Sequence, residues 1–352
     1  RVGRASSPRH RGSPHQLGSW RQLSSAALPI SELPIVDVQA ADAHLHIRDA
    51  AERVGFFMIT NHGVPQEQMD DTFGALRDYF DQSMGAKLAN HISGNDGIRG
   101  YGGLFEQGGY AIDATDVRAS MEGGEGDLAA PPTLMDAKEV FHLGRELPTS
   151  HPCYNHDMFA SNVWPNEAVF RRGPVEAHMA SMYELSERMF TLFARSLGLP
   201  DEHFRSLCDE GMDSMNLLHY PPLAAADKDP DQLGIGAHTD FECFTLLSQE
   251  GPPGLEVLLP STGEWCRVAP VPGAIVVNVG DILARWSNDT FKSTVHRAVN
   301  DEAKDRLAIA FFRCCNYDTI VENLIEGSAS KYPPVLAGDH MLARIEDANT
   351  VP

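Results

Sequence analysis

Gly234-Ile-Gly-Ala-His238-Thr-Asp240-Phe-Glu-Cys-Phe244-Thr-Leu-Leu247 holds two short apolar runs on either side of a polar turn, and a His-x-Asp pair closes the first. Runs of this length, rich in aliphatic and aromatic residues and bounded by turn signals, read as strands over 234–238 and 244–247. Outward from here, similar runs recur at 215–220, 255–259, 266–268, 275–279, 293–299 and 307–313. Gly, Pro, Asn or Asp separates them, and no helical spacing intervenes. So many short, regularly spaced strands indicate a β-sandwich or barrel in this half of the chain.

The N-terminal half reads differently. Residues 34–37 and 55–60 are short extended runs, the second ending at the turn Asn61-His62-Gly63. Residues 40–54 have helical spacing, with Leu45, Ile47, Ala51 and Val54 assigned to one face. Pro65 opens a helix through Met69, Phe73, Leu76 and Phe80. After Pro174, Met179, Met182, Leu185, Met189, Leu192 and Leu197 recur at three- and four-residue intervals until Gly198 and Pro200 stop them. That stripe reads as core packing. The Gly-rich stretch 93–130 has little periodicity and reads as a mobile loop beside a site or as plain disorder. The expected organisation is an Arg- and Ser-rich leader over 1–31, disordered or targeting. A mainly helical region with some strand follows over 32–212, then a β core over 213–320 and a C-terminal segment over 321–352. Residues 32–352 are expected to form one structural unit.

Composition limits the partners. Lys and Arg total 28 against 49 Asp and Glu, and residues 1–31 contribute five Arg and no acid, so the remainder is more acidic still. Such a body repels a phosphate backbone, and no nucleic-acid ligand is expected. No apolar run approaches the roughly 18–20 residues of a membrane-spanning helix. The six cysteines, at 153, 208, 243, 266, 314 and 315, form no CxxC pair. They point to a reducing compartment and to no zinc site. The expected setting is the cytoplasm, or an organelle if residues 1–31 are a transit peptide. Nothing implies an obligate protein partner, and a small-molecule substrate is expected.

The His-x-Asp pair carries the chemistry. Two residues apart on an extended chain, side chains leave the same face, so His238 and Asp240 present an imidazole and a carboxylate to one ion. His296, within the run 293–299, supplies a second imidazole from another strand. Two His and one carboxylate on one side of an octahedron leave adjacent positions open, which suits ferrous iron binding O2 and a co-substrate together. Arg306 heads the apolar run Leu307-Ala-Ile-Ala-Phe-Phe312. A cation there needs an anionic partner, and a dicarboxylate co-substrate would meet it.

With these residues assembled, the chain resembles the 2-oxoglutarate-dependent iron(II) oxygenases of the isopenicillin N synthase-like superfamily. The matching segments are Pro34-Ile-Val-Asp37, Gly55-Phe-Phe-Met-Ile-Thr-Asn-His-Gly63, Asp136-Ala-Lys-Glu139, His219-Tyr-Pro-Pro222 and Gly236-Ala-His-Thr-Asp240. Gly254-Leu-Glu-Val257, Asn278-Val-Gly-Asp281, Thr294-Val-His-Arg297 and the segment opening at Arg306 continue the series in order. The resemblance implies an α+β fold, a distorted double-stranded β-helix (jelly roll) core with a mainly helical N-terminal part packed on it. It implies Fe(II), 2-oxoglutarate and O2, with His238, Asp240 and His296 as iron ligands. Arg306 would pair with the distal carboxylate of 2-oxoglutarate, and Tyr220 would contact the co-substrate near the metal. The implied reaction is hydroxylation, desaturation or cyclisation of a small organic substrate, with release of succinate and CO2.

Phe241, Phe244, Trp286 and Phe312 flank the ligands in sequence and are expected to line the substrate pocket. The chain departs from the family's Arg-x-Ser pattern, carrying Arg306-Leu307-Ala308. A missing hydroxyl donor to a charged acceptor costs about 1.5–3 kcal/mol before neighbours compensate. Weaker 2-oxoglutarate binding is therefore expected. The alternative is an iron(II) oxidase of the same fold that uses no 2-oxoglutarate. Asp42-Ala-His44-Leu-His46 imitates the metal motif of amidohydrolases, but it lies in a predicted helix and no succession of βα units follows it.

Overall fold

The computed structural model describes residues 30–31, 33–94, 98–106, 134–154, 157–224, 229 and 232–349. In chain order its strands are β1 (Ile30–Ser31), β2 (Ile35–Asp37), β3 (Phe56–Thr60), β4 (Gly100–Gly102), β5 (Glu139–Gly144), β6 (Ser214–Tyr220), β7 (Ile235–His238) and β8 (Phe244–Glu250). They continue as β9 (Leu255–Leu258), β10 (Trp265–Val268), β11 (Ile275–Val279), β12 (His296–Ala298), β13 (Arg306–Arg313), β14 (Ile320–Val321) and β15 (Val335–Leu336). The helices are α1 (Ala43–Arg53), α2 (Gln66–Phe80), α3 (Met84–Leu88), α4 (Arg172–Leu197), α5 (Arg205–Cys208), α6 (Asp281–Trp286) and α7 (Ala337–Asn349).

Two sheets face each other across an apolar interior. The larger runs β2-β3-β11-β8-β13-β6-β5-β4 and the smaller β1-β10-β9-β12-β7. Neighbours are antiparallel except for β2 beside β3 and β1 beside β10. Strand alternation separates two environments. On β3, Phe56 and Met58 pack between the sheets against Leu255, Val257, Val268 and Val276. Phe57 and Ile59 point the other way, into the layer covered by the helices.

The long helix α4 lies on that outer face. Its Phe193 sits 6.4 Å from Phe57 and 5.2 Å from Phe244 between ring centroids, and Phe190 lies 5.0 Å from Phe244. Each buried Phe contributes about 1.5–3 kcal/mol, so this aromatic seam is the main attachment of helix to sheet. Gly198, with φ of 77°, ends α4 in the left-handed conformation that glycine adopts without a Cβ penalty. Pro174 falls in its first turn, where no intrahelical N–H bond is lost.

Several expectations need correction. Leu45 is 57% exposed, while Ala43, Ile47, Ala50 and Ala51 form the buried face of α1. Residues two apart on a helix lie on nearly opposite sides, so Leu45 and Ile47 do not share a face. Strands β4 and β5 were not legible as a pair, and β4 falls inside the Gly-rich stretch read as a loop; residues 95–97 and 107–130 of that stretch lie outside those described. The strand expected over 293–299 is confined to His296–Ala298, and α6 was not anticipated. Residues 1–29 also lie outside those described, but Ile30–Ser31, assigned to the leader, pairs with β10. The larger sheet draws strands from both halves of the chain, since β3 pairs with β11 and β5 with β6.

Candidate metal centre

His238 ends β7 and His296 begins β12, and the ladder sets the two directly opposite one another. Their rings lie 4.2 Å apart between centroids. The chain leaves β7 through Thr239 and turns, which brings Asp240 Oδ1 to 3.6 Å from Nε2 of both histidines. One ligating atom from each of the three lies within 4.8 Å of the others, the one such group among the described residues.

Backbone contacts aim these atoms. His238 Nδ1 lies 2.9 Å from the carbonyl of Gly236, and His296 Nδ1 lies 3.1 Å from that of Thr294. A carbonyl only accepts, so each Nδ1 carries the proton and each Nε2 lone pair faces the shared point. Asp240 is fixed from behind: its Oδ2 accepts from Asn278 Nδ2 at 2.7 Å and from the Thr245 hydroxyl. Phe56 stands edge-on to His296 at 5.1 Å.

Electrostatics keep the set ready to bind a cation. Burial pushes the Asp240 carboxyl up, but the His296 and His238 imidazoles and the Thr245 hydroxyl outweigh it and hold it well below the usual carboxylate range. Burial, then the charge of His238, pulls His296 down to about 4, so this imidazole is neutral at physiological pH. Burial also acts against a charged His238, but the neighbouring Asp240 carboxylate prevails and raises its pKa. Two imidazole nitrogens and one carboxylate oxygen converging from one side fit ferrous iron with positions left for other ligands.

A buried cation lies in the interior as well. Arg306 is 2% exposed and donates from Nη2 to Gln249 Oε1 at 2.9 Å, while its Nε and Nη1 are buried without partners. Its guanidinium carbon sits 4.6 Å over the Tyr220 ring. At Gly254 a Cβ would come within 2.7 Å of Arg306 Cδ, so glycine makes room for this side chain. A buried guanidinium with two unmet donors fits a carboxylate. Ala308 is fully buried on the same strand face, paired with Leu218 and Gln249.

The four aromatic residues expected at the pocket separate. Phe312 packs against the interior cluster that holds Ala308 and Ala310, and the partly buried Phe241 lies under the Arg344 guanidinium at 4.7 Å. Phe244 and Trp286 do not line this space. Phe244 neighbours Thr245, which faces Asp240, so alternation turns Phe244 outward onto Phe190 and Phe193. Trp286 is buried against Phe204, 5.1 Å away. Sequence reasoning missed Thr245, Asn278 and Gln249. Asn278 was quoted in a matching segment, but its pairing with Asp240 is a tertiary contact that spacing does not reveal. The imitating motif is a surface pair, His46 Nε2 lying 3.3 Å from Asp42 on the exposed side of α1. His62 secures its turn by meeting the Gly273 carbonyl at 2.7 Å.

A double-stranded β-helix carrying a two-His, one-carboxylate cluster and, on β13, a buried guanidinium with unmet donors fits a mononuclear non-haem metal enzyme. Comparison with known proteins narrows this. The 2OG-Fe(II) oxygenase superfamily profile matches residues 212–315, and that of the non-haem dioxygenase in morphine synthesis N-terminal region matches 29–167. The 2-oxoglutarate-Fe(II) type oxidoreductase hxnY of Emericella nidulans is 34% identical over 312 residues, covering 85% of this chain and 83% of that protein. Clavatol oxidase claD of Penicillium crustosum is 34% identical over 315 residues, covering 84% and 89%. The crystal structure of a full-length Neurospora crassa protein in complex with alpha-KG superposes with a TM-score of 0.74 at 25% identity, covering 93% of this chain and 98% of that one.

The chain belongs to the 2-oxoglutarate–iron(II) oxygenase superfamily. It is a dioxygenase that uses iron(II), 2-oxoglutarate and O2, and these relatives support that reading over an oxidase without 2-oxoglutarate. A small-molecule substrate is consistent with its structural neighbours. No helix among the described residues is long and apolar enough to cross a membrane.

Proposed function

We propose that His238, Asp240 and His296 hold the iron and that Arg306, stacked on Tyr220, seats the distal carboxylate of 2-oxoglutarate in a reaction that hydroxylates a small organic substrate. The observation that carries this is the convergence of two Nε2 atoms and Asp240 Oδ1, each braced by a contact at its other end. When bound, ferrous iron with 2-oxoglutarate and O2 supplies the oxidising power for an unactivated C–H bond, with release of succinate and CO2.

The chain's own residues supply position and dryness. Asn278 and Thr245 fix the carboxylate so that it presents a single oxygen. Arg306 holds the co-substrate at a set distance from the triad, and Gln249 stops the guanidinium from swinging away. Tyr220, Phe312 and the small side chains of Ala308 and Ala310 exclude water from one wall. Phe241 at the rim and Phe312 inside line the substrate space. Residues 213–320 act as the catalytic core, and the acidic surface disfavours nucleic acid as substrate.

Anaerobic titration with iron(II) and 2-oxoglutarate tests the assignment. A visible charge-transfer band is expected in the native protein and not in His296→Ala. Succinate release from labelled 2-oxoglutarate should follow the same pattern. A band of full strength in His296→Ala defeats the assignment.

A further inference from the structure

Strand β5 carries a second polar site into the interior of the roll. Its Val140 packs between the sheets with Leu218, Tyr220, Ala298 and Ala308, so His142 and Gly144 face the same interior by alternation. His142 stands directly opposite Asn216 in the ladder, with Nδ1 2.8 Å from its Oδ1. At Gly144 the place a Cβ would occupy is filled by the guanidinium of Arg99. One cross-strand row then connects Arg99 to the metal centre: Gly144 opposes Ser214, Ser214 opposes Phe312, and Phe312 opposes Thr245, whose hydroxyl holds Asp240. Three strand spacings separate the ends of the row, about 14 Å.

The two ends differ in chemistry from the middle. Arg99 is 5% exposed; its Nη2 donates to the Met158 carbonyl at 3.0 Å, and its Nε has no partner. Burial pulls its pKa down to about 10, with Tyr183 and Glu146 offsetting part of the shift, so it stays charged at neutral pH. Burial also lowers His142 to about 4, with Lys138 and Arg99 adding to the effect, which leaves it neutral. Between Arg99 and the metal the row passes Ser214 and Phe312, with Ala310 and Ala308 on the same strand face as Phe312. A buried cation with an unmet donor is costly unless an anion completes it.

We propose that Arg99, with Asn216 and His142 beside it, receives a carboxylate at the far end of the substrate, so that the enzyme oxidises small monocarboxylic acids at a carbon remote from the acid group. The proposal rests on the iron assignment above, since it takes the triad as the other end of the row. A carboxylate accepts from Arg99 Nε and from the Asn216 amide, and the molecule's apolar length covers Phe312 and the alanines.

The test uses the full chain, loaded anaerobically with iron(II) and 2-oxoglutarate, with the charge-transfer band recorded in every sample. Melting temperature is followed against linear and aryl monocarboxylic acids spanning roughly 10–14 Å, each paired with its primary amide. At least one acid is expected to stabilise the protein and to bind about 10-fold or more tightly than its amide. Arg99→Gln should remove that preference while leaving the band and the 2-oxoglutarate affinity as in the native protein; Arg99→Lys should retain part of it. A structural role for Arg99 would lower the melting temperature without altering the acid-to-amide ratio. Should Arg99→Gln fold poorly, Asn216→Leu is expected to weaken acid binding while sparing 2-oxoglutarate. The proposal is overturned if no acid stabilises the native protein, if amides bind as well as acids, or if the variants keep the preference. Absence of the band in native protein instead defeats the iron assignment, and this proposal with it, so the two failures are told apart.

Discussion

Asn278→Ala removes one of the two donors that hold Asp240 Oδ2, and the expected cost follows from the geometry. Asn278 is 2% exposed and its Nδ2 lies 2.7 Å from a carboxylate kept ionised at neutral pH. A hydrogen bond to a charged group nets about 1.5–3 kcal/mol, and each 1.4 kcal/mol is a factor of ten, so iron affinity should fall about 10- to 100-fold. Substitutions behind metal ligands commonly span that range. Because the Thr245 hydroxyl remains, the single variant should sit near the lower end. Thr245→Val should behave similarly, and the double variant should lose more than the sum, since the carboxylate is then free to rotate. The assay is anaerobic competition for iron(II), or for redox-quiet manganese(II), against a chelator of known affinity, with the metal-free melting temperature measured on the same samples. Native-like metal affinity together with a lowered metal-free melting temperature refutes the reasoning: Asn278 would then stabilise the fold without orienting the ligand.

Three further outcomes are expected. Ala308→Ser restores the hydroxyl that the family pattern carries and should tighten 2-oxoglutarate binding up to about 10-fold in an anaerobic titration; an unchanged affinity means that Gln249 or another neighbour already serves the carboxylate. Arg306→Gln should weaken 2-oxoglutarate binding by about 100-fold or more while leaving the affinity for metal alone near native, because the variant loses one partner of a buried charge pair. On the outer face, Glu139 joins His219 at 2.8 Å, Lys87 at 2.6 Å and the Tyr101 hydroxyl; burial opposes its charge, but these contacts prevail and hold it at about 2. A depressed carboxyl stabilises the fold above its unfolded pKa, so this contribution should disappear as pH falls from about 4.5 towards about 2. Glu139→Gln should be less stable at neutral pH and show a flatter acid limb in denaturation followed by circular dichroism. An acid limb as steep as that of the native protein counts against the network.

The candidate triad was legible in the sequence because its information is local or nearly so: a period of two sets His238 beside Asp240, and a strand-like run surrounds His296. The C-terminal strands were legible for the same reason, being short apolar runs with clear turn residues between them. What stayed hidden depends on neighbours distant in the chain. Strand β4 is Gly-Tyr-Gly, which carries no alternation, and it exists because β5 pairs with it. Phe244 lies close to the ligands in number yet faces the helices, since adjacent residues on a strand take opposite sides, while Trp286 ends α6 and is buried against Phe204. Thr245, next to Phe244, was the more informative residue, and polarity inside an apolar run was its one visible sign. Leu45 shows the converse error, an apolar side chain assigned to the core when helical geometry turns it to water.

The pairing of β3 with β11 has a consequence for biogenesis. Phe56 opposes Asn278 across that ladder, and the Phe56 ring packs against His296. Contacts so widely separated along the chain close late and slowly. A ribosome must therefore release nearly the whole polypeptide before the ligand set can exist, and no partial product can capture iron in native form. On the proposed assignment, a chain interrupted after β11 would carry two of the three ligands, His238 and Asp240, and lack His296.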